Sequence, residues 1–271
     1  MAGVKNQLVG LIRFSYFARS GGWNIKVSSD KHKGELFGKK RMALRFRLFE
    51  KLTLPSLRNQ TDDDFKCVIL GSDQMPENYQ LKLLDLIEGH ENISFLPMPP
   101  MQHHIAVGKA LGQAKDKTSD FFTSFRLDDD DMLRKTYIED LKHKVELAER
   151  LIEPGKPLVT SFNSGMFMEK TKHGNIVYDV VERTPGAQGT AMTTHIDEAR
   201  NVFTRNHRKL PAFFRTVSYT EGPVWLRTVH SNNIANPKIT GRRNIIEPEK
   251  IENLFENNFG LTLQDAQKIT L

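Results

Sequence analysis

Apolar positions along the chain follow two periods. Residues 8–14, 65–70, 93–96 and 121–127 are short runs rich in β-branched and aromatic side chains, and each reads as a buried strand. Between them, apolar residues recur every three or four positions. Met42, Phe46, Phe49 and Leu52 mark one helix, which Pro55 bends or closes. Leu83, Leu84 and Ile87 give the buried face of a second, between Pro76 and Gly89. Val107, Ala110, Leu111 and Ala114 mark a third. Tyr137, Leu141, Val145, Ala148 and Ile152 mark a fourth, ended by Pro154-Gly155. Four strand-then-helix cycles predict an α/β fold: a mostly parallel sheet with helices on both faces.

After Pro157 the rhythm changes. Residues 158–162 and 176–181 read as strands joined through 170–175 as a hairpin, and 225–229 as a late strand. Gly186-Ala187-Gln188-Gly189 is a turn. Ile251, Leu254, Phe255 and Phe259 form a last helix after Pro248. With no internal repeat or low-complexity linker, the second half reads as an antiparallel elaboration of the same sheet, within one domain spanning residues 1–271.

Composition narrows the picture. A chain of 271 residues with 38% hydrophobic content suits a soluble globular protein with a proper core. The single cysteine, Cys67, excludes an intramolecular disulfide and fits a reducing compartment. The apolar stretch 8–12 is cut by Arg13, far short of a ~20-residue span, so a cytoplasmic location is expected. The net charge of +6 points to a polyanionic partner: nucleic acid, an anionic membrane surface or a phosphorylated small molecule. That charge is concentrated. Residues 19–41 carry seven basic against two acidic residues, and 200–215 carry five basic and none acidic, which leaves the rest net acidic. The first segment is expected at the nucleotide edge of the sheet and the second on the acceptor side. No nucleic-acid fold signature occurs, so no nucleic-acid partner is expected.

Chemistry is concentrated in Asp128-Asp129-Asp130-Asp131, which follows the strand at 121–127. Four adjacent carboxylates repel and need neutralisation or solvation. Continued as a strand, Asp128 and Asp130 point to one side and Asp129 to the other. Two carboxylates on one side suit a hard divalent ion, Mg²⁺ or Mn²⁺, completed by water and phosphate. Asp62-Asp63-Asp64 serves as a control: it precedes its strand, whereas open parallel sheets bind ligands at strand carboxyl ends. The plainer reading of Asp128–Asp131 is a helix N-terminus, where acids favour the dipole. Arg126 is the phosphate candidate, or else an ion-pair partner of Asp128. His103-His104 start a helix without metal-ligand spacing and read as a cap or surface pair. Cys67, Trp225 and Phe213-Phe214 read as core.

Arg126-Leu127-Asp128-Asp129-Asp130 after a strand resembles the Asp-x-Asp signature of GT-A glycosyltransferases. Leu54-Pro55-Ser56-Leu57-Arg58-Asn59-Gln60, the strand at 65–70 and Asp73 resemble the first helix and second strand of such enzymes. Glu221-Gly222-Pro223-Val224-Trp225-Leu226-Arg227-Thr228-Val229-His230-Ser231-Asn232-Asn233 extends the likeness to the bacterial family described as "putative rhamnosyltransferases". The resemblance covers most of the chain and is strongest at 121–133 and 224–233. It implies a GT-A fold, a nucleotide-sugar donor, Mg²⁺ or Mn²⁺, and transfer to a hydroxyl on a bacterial surface glycan or glycolipid. Asp128 and Asp130 are then metal and donor ligands, with Asp130 ahead as the direct ligand and His230 beside them. Asp73 and Arg13 line the nucleoside, Arg126 binds phosphate, and Glu221 is the base of an inverting transfer. Glu221 departs from the family pattern, because Gly222-Pro223 follows it instead of a second acid. Residues 1–155 would form the nucleotide-sugar half and 156–271 the acceptor half, with peripheral contact at an anionic inner membrane as a further expectation. The rival readings are a nucleotidyltransferase or another metal-dependent phosphate-handling enzyme, and a non-enzymatic polyanion-binding module.

Overall fold

The computed structural model describes residues 4–19, 29–230 and 239–271. The first apolar run forms β1 (Asn6–Arg13). Two helices follow, α1 (Ser29–Leu36) and α2 (Lys39–Leu48). A π-helical turn over Phe49–Thr53 then leads into α3 (Leu54–Arg58). Pro55 does not close the helix: Phe49, Thr53 and Leu54 keep right-handed helical angles, so the run continues through the π turn and past Pro55 to Arg58. The predicted alternation continues through β2 (Lys66–Ser72), α4 (Glu77–Ile87), β3 (Ile93–Met98), α5 (His103–Ala114) and β4 (Phe121–Asp128). After the two-residue β5 (Met132–Leu133), α6 (Tyr137–Leu147) ends earlier than its apolar spacing predicts. A 3₁₀ turn over Glu149–Leu151 carries the stripe on to Ile152.

The remaining strands are β6 (Leu158–Phe162), β7 (Ser164–Thr171), β8 (Gly174–Val181), β9 (Ala191–His195), β10 (Arg215–Tyr219), β11 (Trp225–Val229) and β12 (Arg242–Arg243). The described chain closes with α7 (Pro248–Phe259) and α8 (Leu263–Lys268). The strands form two sheets. The first has the order β10-β6-β9-β4-β1-β2-β3, and β4, β1, β2 and β3 run parallel. Only β9 opposes its neighbours β4 and β6. The second sheet has the order β12-β8-β7-β11-β5 and is mixed.

The α/β class with a mostly parallel sheet is therefore borne out, and the second half is corrected. Residues 158–162 extend the first sheet, whereas the hairpin pairs β7 with β8 in the second. Alternation along β1 explains the layers. Leu8 and Ile12 pack with α2, α3, α4 and α6, while Val9 and Leu11 pack with α5. Gly10 faces the first layer because a Cβ there would stand 2.4 Å from the Phe125 ring. Trp225 is buried as expected, and its indole N–H donates to the Phe162 carbonyl at 2.7 Å, tying the sheets together. Cys67 is buried packing, its thiol pushed up to about 12 by burial. Two core expectations fail: Leu84 is exposed on α4, and Phe213 is 56% exposed. No helix among the described residues is long and apolar enough to cross a membrane.

Candidate active site

Parallel pairing in register sets Arg13 opposite Asp128 at the carboxyl ends of β1 and β4. Both lie on the α5 face, and Arg13 Nη2 donates to Asp128 Oδ1 at 3.0 Å. Burial alone would raise the Asp128 carboxyl, but Arg13 and Arg126 outweigh it and hold the group well below the carboxylate range.

Strand alternation stops there. β4 ends at Asp128 and the chain turns, the Asp131 N–H donating to the Asp128 carbonyl at 3.3 Å. Asp129 and Asp130 consequently do not diverge; both meet Arg45. That residue lies on α2 beside the buried stripe of Met42 and Phe46. Its Nε donates to Asp129 Oδ2 at 2.9 Å and its Nη1 to Asp130 Oδ2 at 2.8 Å. Asp130 Oδ2 also lies 3.1 Å from His230 Nε2, just beyond β11. Burial pushes the Asp130 carboxyl up, yet Arg45 and His230 together bring it below its usual value.

Asp131 faces inward. It accepts from Gln188 Nε2 at 2.5 Å and from the Thr228 N–H at 2.8 Å, which anchors the turn to the 186–190 loop and to β11. Burial first, then Asp130 and Asp128, raise its carboxyl well above the usual range. Gly189 serves the same anchoring: its carbonyl accepts from the buried Tyr137 hydroxyl at 2.9 Å.

A divalent ion that keeps water and phosphate ligands would meet two protein ligands here, Asp130 and His230, on an oxygen that Arg45 Nη1 also holds at 2.8 Å. Adjacent ligands in an octahedral shell with bonds of ~2.1 Å stand about 3 Å apart. That is the spacing of Asp130 Oδ2 and His230 Nε2, with Asp128 close enough to act on Asp130 electrostatically. Among the described residues no group of three or more His, Cys, Asp or Glu is placed to hold a metal ion.

Five of the seven sequence-predicted site residues thus come together: Arg13, Arg126, Asp128, Asp130 and His230. Asp73 is exposed in the turn after β2, its N–H on the Met98 carbonyl at 3.1 Å, near enough to Tyr16 to act on that phenol. Glu221 is exposed in the loop before β11 and bears on Tyr219. Among the described residues no hydrogen bond or ion pair joins either to the acidic turn. Ser231, Asn232 and Asn233, and Lys26 of the first basic segment, lie outside the described residues. Within that segment, Arg41 is a brace: it donates to Ser15 Oγ at 2.8 Å and to the Leu36 carbonyl at 2.7 Å. Asp62 and Asp64, at the amino end of β2, are neutralised by Lys142 at 2.8 and 2.9 Å.

Sequence reasoning missed Arg45, Gln188, Phe203, His207 and Arg227, and it read His103 as a cap. His103 Nε2 lies 3.5 Å from Arg13 Nη1, and His207 Nδ1 lies 3.4 Å from Arg126 Nη1. The one available signal was the spacing of Arg41 and Arg45, one helical turn apart beside an apolar stripe.

No curated protein matches the chain. Among solved structures, residues 1–349 of S. aureus TarS in complex with UDP-GlcNAc align over 92% of this chain at 10% identity and a TM-score of 0.47. The alignment takes in 64% of that chain, so this protein spans about two thirds of its length. A "putative nucleotide-diphospho-sugar transferase" from Desulfovibrio desulfuricans aligns over 84% of this chain and 83% of its own, at 9% identity and a TM-score of 0.38. The 4-diphosphocytidyl-2C-methyl-D-erythritol synthase of Anaerococcus prevotii aligns over 93% and 95%, at 15% identity and 0.37. In sequence, the profile of one glycosyltransferase family matches residues 7–242, most of the chain, and the protein therefore belongs to the family described as "Putative rhamnosyl transferase".

Proposed function

We propose that the protein transfers a sugar, rhamnose by the family's description, from a nucleoside-diphosphate donor to a hydroxyl acceptor, with Mg²⁺ or Mn²⁺ at the acidic turn. The observation that carries this reading is the acidic turn at the carboxyl edge of the parallel sheet, with Asp130 beside His230 and Asp128 at the end of β4, in a chain of this family. Asp128, Asp130 and His230 would hold the ion. When bound, it supplies positive charge where the leaving diphosphate accumulates negative charge.

The chain's own residues complete the site in this reading. Arg13 and Asp73 flank the nucleoside, and Arg126 adds permanent positive charge for phosphate. Glu221, exposed and free to meet an incoming molecule, takes the proton of the acceptor hydroxyl as that oxygen attacks the sugar's anomeric carbon. The anomeric carbon–oxygen bond to the diphosphate breaks in the same displacement. Residues 1–155 supply the donor half and 156–271 the acceptor half, with Phe203, His207 and His230 reaching across. A glycan or glycolipid, met at an anionic membrane surface, is the acceptor class that the basic segment at 200–215 suits.

Product analysis tests the reading. Release of a nucleoside diphosphate from a nucleotide-rhamnose, abolished by EDTA and by Asp130→Ala, is expected. Pyrophosphate as the product would make the chain a nucleotidyltransferase, and turnover indifferent to EDTA would remove the ion from the account.

A further inference from the structure

Arg45 divides its guanidinium unevenly between two carboxylates of the acidic turn. Nε donates to Asp129 Oδ2 at 2.9 Å and Nη2 pairs with Asp129 Oδ1, a two-pronged fork on one carboxylate. Only Nη1 crosses to Asp130, where it meets Oδ2 at 2.8 Å. Asp129 alone therefore fixes the arginine. The contact with Asp130 can be given up while the fork stays closed.

The oxygen that Nη1 reaches is shared. Asp130 Oδ2 also stands 3.1 Å from His230 Nε2, and both of these side chains are buried. A carboxylate oxygen offers about two lone-pair directions, so a divalent ion that bonds to Oδ2 must take the place of one neighbour. Arg45 opposes it in a second way, by its permanent charge. The Arg45 and Asp130 side chains are 11% and 5% exposed, so water screens that charge little. Arg41, one helical turn earlier on α2, bears on both Arg45 and Asp130 and adds to the same field.

The geometry also gives the middle acid of the run a role. Asp129 is 1% exposed and has both oxygens on Arg45, so it is engaged by the arginine and not open to an ion.

We propose that Arg45 is a tethered counter-ion of the acidic turn, which holds Asp130 Oδ2 until a divalent ion takes it and is kept in place by Asp129 as it yields. Ion affinity is then set by a competition inside the chain, and is lower than the carboxylates and His230 alone would give. The inference rests on the ion of the proposed function. A purely structural Arg45 predicts the opposite sign: without it the turn loosens and the ion binds more weakly.

Manganese titration of the whole chain, followed by electron paramagnetic resonance with a nucleoside diphosphate present, tests it. Arg45→Met is expected to bind Mn²⁺ at least tenfold more tightly than wild type. Arg45→Gln, which drops the charge and keeps an amide donor for Asp129, is expected to shift affinity the same way. Arg45→Lys keeps the charge and should stay closer to wild type than either. Unchanged or weaker binding in folded Arg45→Met and Arg45→Gln, beside binding in wild type, overturns the proposal and leaves the ion in the account. Binding in both neutral variants and none in wild type supports the counter-ion and rejects the ion for the native chain. Binding in none of the four proteins removes the ion, and the inference with it.

Discussion

Replacing Arg45 with methionine removes the guanidinium that bridges Asp129 and Asp130. These carboxylates are 1% and 3% exposed, so water cannot take over from the lost partner. Asp130 keeps His230, while Asp129 is left without the arginine that meets both of its oxygens. Breaking a buried pair from one side costs about 3–5 kcal/mol, because the remaining charge stays desolvated. For a chain of this size that lowers the melting temperature by on the order of 10 °C. Lysine at 45 is expected to recover only part of the loss, since a single ammonium cannot span two carboxylates as the planar fork does. Urea denaturation of Arg45→Met, Asp129→Asn and the double variant measures the effect. Asp129→Asn in the methionine background should return part of the stability, giving an interaction energy of about 0.5–3 kcal/mol. A cost below about 1 kcal/mol for Arg45→Met, or strict additivity in the cycle, would refute the idea that this pair holds the turn.

Gly165→Ala sets a Cβ 2.1 Å from the Trp225 ring across the β7–β11 pair, so it should lower the unfolding free energy by about 1–3 kcal/mol, read as a lower urea midpoint; an unchanged midpoint would mean that the ring does not pack on Gly165. Thr228→Val removes a buried hydroxyl that has no partner and should be neutral or stabilising by up to about 1 kcal/mol, and a clear loss of stability would show that the hydroxyl is satisfied. His103 and His207 are both lowered from 6.5, so the unfolded chain takes up their protons first as pH falls. Stability should then be flat above pH 6.5 and decline toward pH 4, by up to about 1.4 kcal/mol per pH unit for each histidine. The His103→Gln/His207→Gln variant should flatten that decline; the same slope in both proteins would place it elsewhere. Asp128 and Asp130, both lowered, lose their contribution only below the ordinary carboxylate value near 3.8, a separate window.

The four early strands were legible because parallel strands covered on both faces are written as continuous apolar runs. β9 escaped for the opposite reason. Its Thr193 and Thr194 are fully buried yet polar, satisfied by Thr123 Oγ1 at 2.9 Å and by the Phe122 carbonyl at 3.5 Å, so no apolar run marks it. β10 is an edge strand with an exposed arginine at its start, and it carries no alternation strong enough to separate it from a loop. At the site, the acidic run was visible because its chemistry is local: four carboxylates directly after a strand. Arg45 approaches from 84 residues away, through a helix whose apolar stripe shows where it packs but not what its flank will meet. Phe203 and His207 were hidden likewise, in a segment whose charge drew attention while its neutral residues made the contacts with Arg126.

Manganese titration followed by electron paramagnetic resonance, with a nucleoside diphosphate present, tests the role of the acidic turn most directly. One Mn²⁺ per folded chain is predicted, with binding lost in Asp130→Ala and weakened in His230→Ala. Binding of the same stoichiometry and affinity in folded Asp130→Ala, or none in wild type, would contradict it.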